Sequence, residues 1–83
     1  MDIVIKKQAS KYLSKCDSKT YDKLEEAING LKVLDGDIAK MSGTKHQYRL
    51  KVPPYRILFS YEKGSKEIII TGIYPRGDAY KKG

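Results

Sequence analysis

The spacing of hydrophobic and polar residues changes several times along the chain, and each change marks an element. Ile3-Val4-Ile5 is a short apolar run without alternation, which predicts an opening strand buried on both sides. From Lys7 the spacing becomes helical. Ala9, Tyr12, Leu13 and Cys16 fall at i, i+3, i+4 and i+7, one apolar stripe that leaves Lys7, Lys11 and Lys15 outside it. Cys16 lies in that stripe and reads as a packing residue rather than a nucleophile, because nothing around it implies an electropositive pocket. Asp17 and Ser18 are good N-cap residues, so a second helix should begin near Lys19. Its stripe is Leu24, Ala27, Ile28, Leu31 and Leu34, with Asp22, Lys23, Glu25 and Glu26 turned to water. Gly30 lowers helix propensity by about 1 kcal/mol relative to alanine, or serves a close contact with a helix or sheet. Asp35-Gly36-Asp37 ends this helix, and Ile38 to Gly43 reads as a connecting segment.

The remainder is β. In Tyr48-Arg49-Leu50-Lys51-Val52 apolar and basic residues alternate strictly, so Arg49 and Lys51 share one face and Leu50 takes the other. Pro53-Pro54 breaks the strand, and neither proline takes the positive φ of a type I′ turn, so a two-residue hairpin of the usual kind is not expected. Tyr55 to Tyr61 resumes as a strand, Lys63-Gly64-Ser65 makes a turn, and Glu67 to Tyr74 forms the last strand before Pro75 and Gly77. The order β-α-α-β-β-β predicts an α+β fold, with the two N-terminal helices on one face of a small, mainly antiparallel sheet. Leu50 should pack under the helices, and Arg49 and Lys51 should face away from them. No repeat, linker or low-complexity segment interrupts the pattern.

Composition narrows the class. Eighty-three residues are too few for two separate cores, so residues 1–83 should form one domain. The longest apolar run, Ile68-Ile69-Ile70, falls far short of a membrane span, and Lys6-Lys7 follow Ile5 too soon for a signal peptide. A single cysteine forms no internal disulfide, and no Cys/His set suggests zinc. A cytoplasmic protein without contact to the membrane is expected.

The net charge is +7 and unevenly placed. Residues 1–44 carry eight lysines against seven acids, whereas residues 45–83 carry nine basic residues against Glu62, Glu67 and Asp78. A balanced front half and a cationic back half read as a surface for phosphates, anionic lipid or an acidic protein, or as plain solubilising charge.

The common catalytic kits are missing. One histidine assembles no Ser/His/Asp set, there is no Gly-rich phosphate loop, and the basic half has too few carboxylates for a metal-dependent nuclease. No cofactor is expected. An enzyme of this composition would work with cations and phenols, and RNA can be cut with those alone. The 2′-hydroxyl attacks the adjacent phosphorus. The protein supplies a base, positive charge on the phosphorane oxygens, and an acid for the departing 5′-oxygen.

Three stretches carry a resemblance. Gln47-Tyr48-Arg49-Leu50-Lys51-Val52, then Tyr55-Arg56-Ile57-Leu58-Phe59-Ser60-Tyr61, then Ile73-Tyr74-Pro75-Arg76-Gly77-Asp78-Ala79-Tyr80 resemble the second half of toxins of the RelE/ParE superfamily, RelE-like branch. Their pattern is a basic strand, a "Y-R-I/L-x-Y" strand, an apolar strand and a closing "R-x-D-x-Y". Lys40-Met41-Ser42-Gly43 resembles the connection before the basic strand, and the front half matches in pattern. The resemblance implies the RelE-like microbial RNase fold and the toxin of a type II toxin–antitoxin system. It further implies a ribosome-dependent mRNA endonuclease that inhibits translation, partnered by the ribosome, messenger RNA and a small acidic antitoxin.

Carried over residue by residue, the resemblance places Arg49, Lys51 and Arg56 on the exposed sheet face, joined by Arg76 and Tyr80. Arg56 and Arg76 would neutralise the scissile phosphate, with Arg76 or a water beside it assisting the leaving group. Tyr80 would orient the 2′-hydroxyl or stack on a base. Two departures matter. Arg49 stands where many relatives have a second lysine, and arginine does not release a proton near neutral pH, so the base role narrows to Lys51. The chain also stops at Gly83, so the closing helix of some relatives is expected to be absent.

Without the resemblance, Arg49 and Lys51 would be ordinary solvated residues, and Tyr80 an unremarkable one near a chain end. Tyr48, Tyr55, Tyr61 and Tyr74 read as sheet packing. His46 borders the basic strand as a loop residue, and Lys45, Lys81 and Lys82 read as non-specific phosphate contacts. Two other readings use the same features: a ParE-like inhibitor of DNA gyrase, whose helical hairpin tends to be longer, and an RNA-binding module without chemistry.

Overall fold

The computed structural model describes residues 2–75. Arg76, Tyr80, Lys81 and Lys82 therefore lie outside the described residues. Five strands, two α-helices and a short 3-10 turn follow one another as β1 (Asp2–Ile5), α1 (Lys7–Lys15), α2 (Ser18–Gly30), the 3-10 turn (Leu31–Val33), β2 (Asp37–Lys40), β3 (Gln47–Val52), β4 (Tyr55–Tyr61) and β5 (Glu67–Pro75). The strands form one sheet in the order β1-β5-β4-β3-β2, in which only β1 and β5 are parallel. This is the expected α+β arrangement with one strand more. Asp37–Lys40, read from the sequence as the end of a helix and the start of a connection, pairs antiparallel with β3. A four-residue edge strand carries too short a pattern for its alternation to register.

Both helices cover the same face of the sheet. Ala9 of α1, Leu24 and Ile28 of α2 and Leu31 are buried against Leu50, Val52, Ile57, Phe59, Ile68, Ile70 and Ile73. Each fully buried large side chain stabilises the fold by about 1.5–3 kcal/mol. Four tyrosines border this core: Tyr48 stacks on Phe59 at 5.5 Å, Tyr61 tilts against Tyr48, and Tyr12 meets Tyr55 edge-on at 6.2 Å.

Local chemistry sets the helix boundaries. Asp17 caps α2, its Oδ1 accepting from the Thr20 N–H at 3.0 Å. Those Thr20 hydrogen bonds hold the Asp17 carboxyl below its ordinary range. Cys16 hydrogen-bonds the Tyr12 carbonyl, and burial, helped by the Asp17 charge, pushes its thiol up. A protonated, packed thiol fits no nucleophilic role. The far end of α2 closes as a Schellman motif: the Leu34 N–H donates to Leu31 O and the Asp35 N–H to Gly30 O, with Leu34 left-handed at φ 54°. Leu34 is thereby exposed, so the apolar stripe of α2 ends at Leu31. Gly36, at φ +123°, then turns the chain into β2, and a Cβ there would sit 2.7 Å from Leu50 Cδ1.

One further expectation is corrected. Ile3-Val4-Ile5 is an edge strand, bonded on one side to β5 alone, and Val4 and Ile5 are 36% and 40% exposed. The unalternating run reflects apolar residues on a sheet margin rather than double burial. Pro53-Pro54 forms a two-residue connection, since Val52 and Tyr55 are paired across it, and as expected it is not of the usual kind: the peptide between the prolines is cis. The Lys23 ammonium donates to the Pro53 carbonyl and ties α2 to this turn.

Candidate functional site

The face of the sheet opposite the helices can be read from the pairing register. Leu50 faces Ile57 and Ile57 faces Ile73 on the helix side. The alternate positions therefore point away. Across the open face one row runs Asp37 (β2), Lys51 (β3), Arg56 (β4), Tyr74 (β5), and the next runs Ala39, Arg49, Leu58, Gly72. Neighbouring members of a row have Cβ atoms about 4.5–5.5 Å apart.

Strict alternation in β3 puts Arg49 and Lys51 on this face, and the register places Arg56 directly opposite Lys51. Their exposure differs. Lys51 is exposed and Arg49 half-buried, but Arg56 is only 7% exposed. The expectation of an exposed Arg56 is thus corrected. It sits in the floor of a cleft of about 240 Å³, lined by Lys51, Pro53, Pro54, Tyr55 and Arg56. The Pro53-Pro54 connection forms one wall because it begins one residue pair beyond Lys51–Arg56, after Val52–Tyr55.

Lys45 and His46 belong elsewhere. They precede β3, and the His46 carbonyl accepts from the Tyr61 N–H at the opposite end of β4 from Arg56. Lys45 is six residues from Lys51, about 20 Å along an extended chain at roughly 3.3 Å per residue. His46 is an exposed loop residue there.

Two members of the row had no part in the site expected from the sequence. Asp37 faces Lys51 across β2 and β3, a relation hidden while β2 passed for a connection. Tyr74 faces Arg56, although from the sequence it read as sheet packing. The cause is a bulge: Leu58 pairs with Gly72 but Phe59 pairs with Ile70, so Thr71 is an extra residue in β5. Ile68 and Ile70 point to the helices, and beyond the bulge so does Ile73, which turns Gly72 and Tyr74 to the open face. The Thr71 hydroxyl donates to the Leu58 carbonyl at 3.1 Å within this irregularity.

The end of β5 is held from outside the sheet. Beyond Ile70, β5 runs past the end of β1. There the Gln8 side chain of α1 accepts from the Ile73 N–H at 2.9 Å and donates to the Ile73 carbonyl at 3.1 Å. One amide replaces a missing strand and fixes β5 next to Tyr74. Among the described residues no group of three or more His, Cys, Asp or Glu gathers to hold a metal ion, and no helix is long and apolar enough to cross a membrane.

No family model and no curated protein matches the chain. Solved structures do. The RelE of the archaeal RelE–RelB complex from Pyrococcus horikoshii OT3 is 26% identical, with 93% of this chain and 96% of that chain covered at a TM-score of 0.74. The RelB–RelE antitoxin–toxin complex from Methanococcus jannaschii matches at 21% identity, covering 95% and 96% of the two chains, with a TM-score of 0.75. The isolated E. coli RelE toxin matches at 16% identity, covering 98% and 92%, also with a TM-score of 0.75.

Proposed function

Because this chain is RelE-like in fold and is a toxin of the type II kind, we propose that it acts as a ribosome-dependent mRNA endonuclease. One observation carries this reading: Lys51 and Arg56 stand side by side on the sheet face that the helices leave open, with Arg49 one row away. Cations concentrated on an uncovered face suit a phosphodiester better than a packing role.

The chemistry needs no cofactor. Lys51 takes the proton from a 2′-hydroxyl, whose oxygen attacks the adjacent phosphorus. Arg49 and Arg56 stabilise the charge that builds on the non-bridging oxygens. The P–O5′ bond breaks, leaving a 2′,3′-cyclic phosphate and a 5′-hydroxyl. Arg76 and Tyr80 have the leaving-group and orienting roles that the resemblance gives them. Lys81 and Lys82 add phosphate contacts. The ribosome would hold the messenger in line for attack, which isolated RNA does not do for itself. An antitoxin would be its partner, as in the RelB–RelE antitoxin–toxin complex, and a small acidic one would suit a chain of net charge +7.

The test is cleavage by the purified protein of the same messenger, free and on programmed ribosomes. Cutting within the ribosome-bound codon, with 5′-hydroxyl ends, is the expected result. Efficient cutting of naked RNA overturns ribosome dependence. Trapped gyrase–DNA cleavage complexes with intact messenger replace the reading by gyrase poisoning.

A further inference from the structure

We propose that Tyr74 is a nucleobase platform, on which a base beside the scissile phosphate stacks. The inference rests on the RNA-cleaving reading above and deepens it.

Cations on the open face account for phosphates only. A single strand also carries a base at every nucleotide, and proteins that hold such strands stack those bases on aromatic rings. The other ring contacts among the described residues, Tyr12 with Tyr55 and Tyr48 with Phe59 and Tyr61, belong to the helix side of the sheet. Tyr74 is on the opposite face, in the row of Lys51 and Arg56. Two strand spacings of about 4.8 Å put its backbone roughly 10 Å from that of Lys51.

The ring is seated rather than upright. A Cβ built on Gly72 would lie 2.6 Å from Tyr74 Cε2, 2.8 Å from Oη and 2.9 Å from Cζ. The phenol thus folds back along its own strand and fills the space over Gly72 that any other residue would occupy. Gly72 is buried as a result, while Tyr74 stays half-exposed. A ring whose distal edge is held over Gly72 while the residue stays half-exposed is pre-placed for stacking, so little side-chain freedom remains to be lost on binding. The bulge at Leu58/Phe59 and the Gln8 clamp on Ile73 fix the strand that carries it.

The experiment uses programmed ribosomes whose messenger carries one abasic ribonucleotide at a time around the cut, with every 2′-hydroxyl retained. Half-saturating concentration is read in single-turnover cleavage. With the wild-type protein, one position should weaken engagement by about 5- to 150-fold when its base is removed. Tyr74→Ala should show that loss on the intact messenger and no further loss at that position. Tyr74→Phe should keep most of the discrimination, because the flat ring does the stacking. Gly72→Ala provides an independent arm: its methyl must push the ring aside, which the far end of a side chain allows without unfolding the strand. It should resemble Tyr74→Ala even if the latter folds poorly. The proposal is overturned if Gly72→Ala and Tyr74→Ala sense the missing base as wild type does, or if Tyr74→Phe loses as much as Tyr74→Ala. A wild-type protein that cuts no ribosome-bound messenger overturns the proposed function along with it. Normal cleavage with no base-dependent position overturns only the role of Tyr74.

Discussion

Lys51 and Arg49 are two residues apart on one face of β3, yet they are not interchangeable. Arginine keeps its proton at neutral pH, so Lys51→Arg preserves charge and abolishes a base. Single-turnover cleavage on ribosomes should fall about 10²–10⁴-fold in Lys51→Met and should not recover in Lys51→Arg. Full activity of Lys51→Arg would make Lys51 a phosphate clamp. Gln8 presents the opposite case, a polar residue whose task is invisible in the local pattern. It sits on α1 and bonds both backbone groups of Ile73, sixty-five residues away. At about 0.5–1.5 kcal/mol for each hydrogen bond, Gln8→Ala should cost roughly 1–3 kcal/mol in urea denaturation. A loss below the error of the measurement would show that water replaces the amide.

At the scale of elements, α2 shows how a helix is ended. The Schellman closure needs a left-handed residue, and the chain supplies Leu34 where glycine is usual. A side chain in that conformation costs about 1–2 kcal/mol, and the 41% exposed Leu34 recovers only part of it by burial. Leu34→Gly should therefore raise thermal stability, by up to about 1 kcal/mol after the flexibility of glycine in the unfolded chain is counted. A lower melting temperature would mean that the apolar contacts of Leu34 outweigh its backbone strain. The strands show a similar economy. β2 is four residues long, but it brings Asp37 opposite Lys51, and the extra Thr71 in β5 decides which face Tyr74 occupies.

For the whole molecule, the two faces of the sheet divide the work. One is closed by α1 and α2 over a core of aliphatic side chains and Phe59, and the other gathers Arg49, Lys51 and Arg56. Binding to single-stranded RNA should then depend on salt through these cations. If these three each neutralise one phosphate, the logarithm of affinity should fall against that of salt with a slope of about −2, at roughly −0.7 for each contact. Lys51→Met should flatten it by about one contact. A slope near zero in the wild-type protein would remove phosphate binding from the open face.

Much of this was written in local spacing. The stripe Ala9, Tyr12, Leu13, Cys16 made α1. Asp17 capped α2. The alternation of Tyr48 to Val52 sent Arg49 and Lys51 to one face and Leu50 to the other. These follow from periods of 3.6 and 2 and from one short-range hydrogen bond, so neighbours in sequence suffice. The tertiary structure alone decided the rest. β2 exists because β3 offers it an edge, and β1 is exposed because it has a partner on one side only. Arg56 is buried although its strand faces outward, since the Pro53-Pro54 turn and neighbouring strands build a cleft around it. Tyr74 reached the cationic face through a one-residue bulge. A single inserted residue reverses every side chain beyond it, and the register that reveals the insertion belongs to two strands at once.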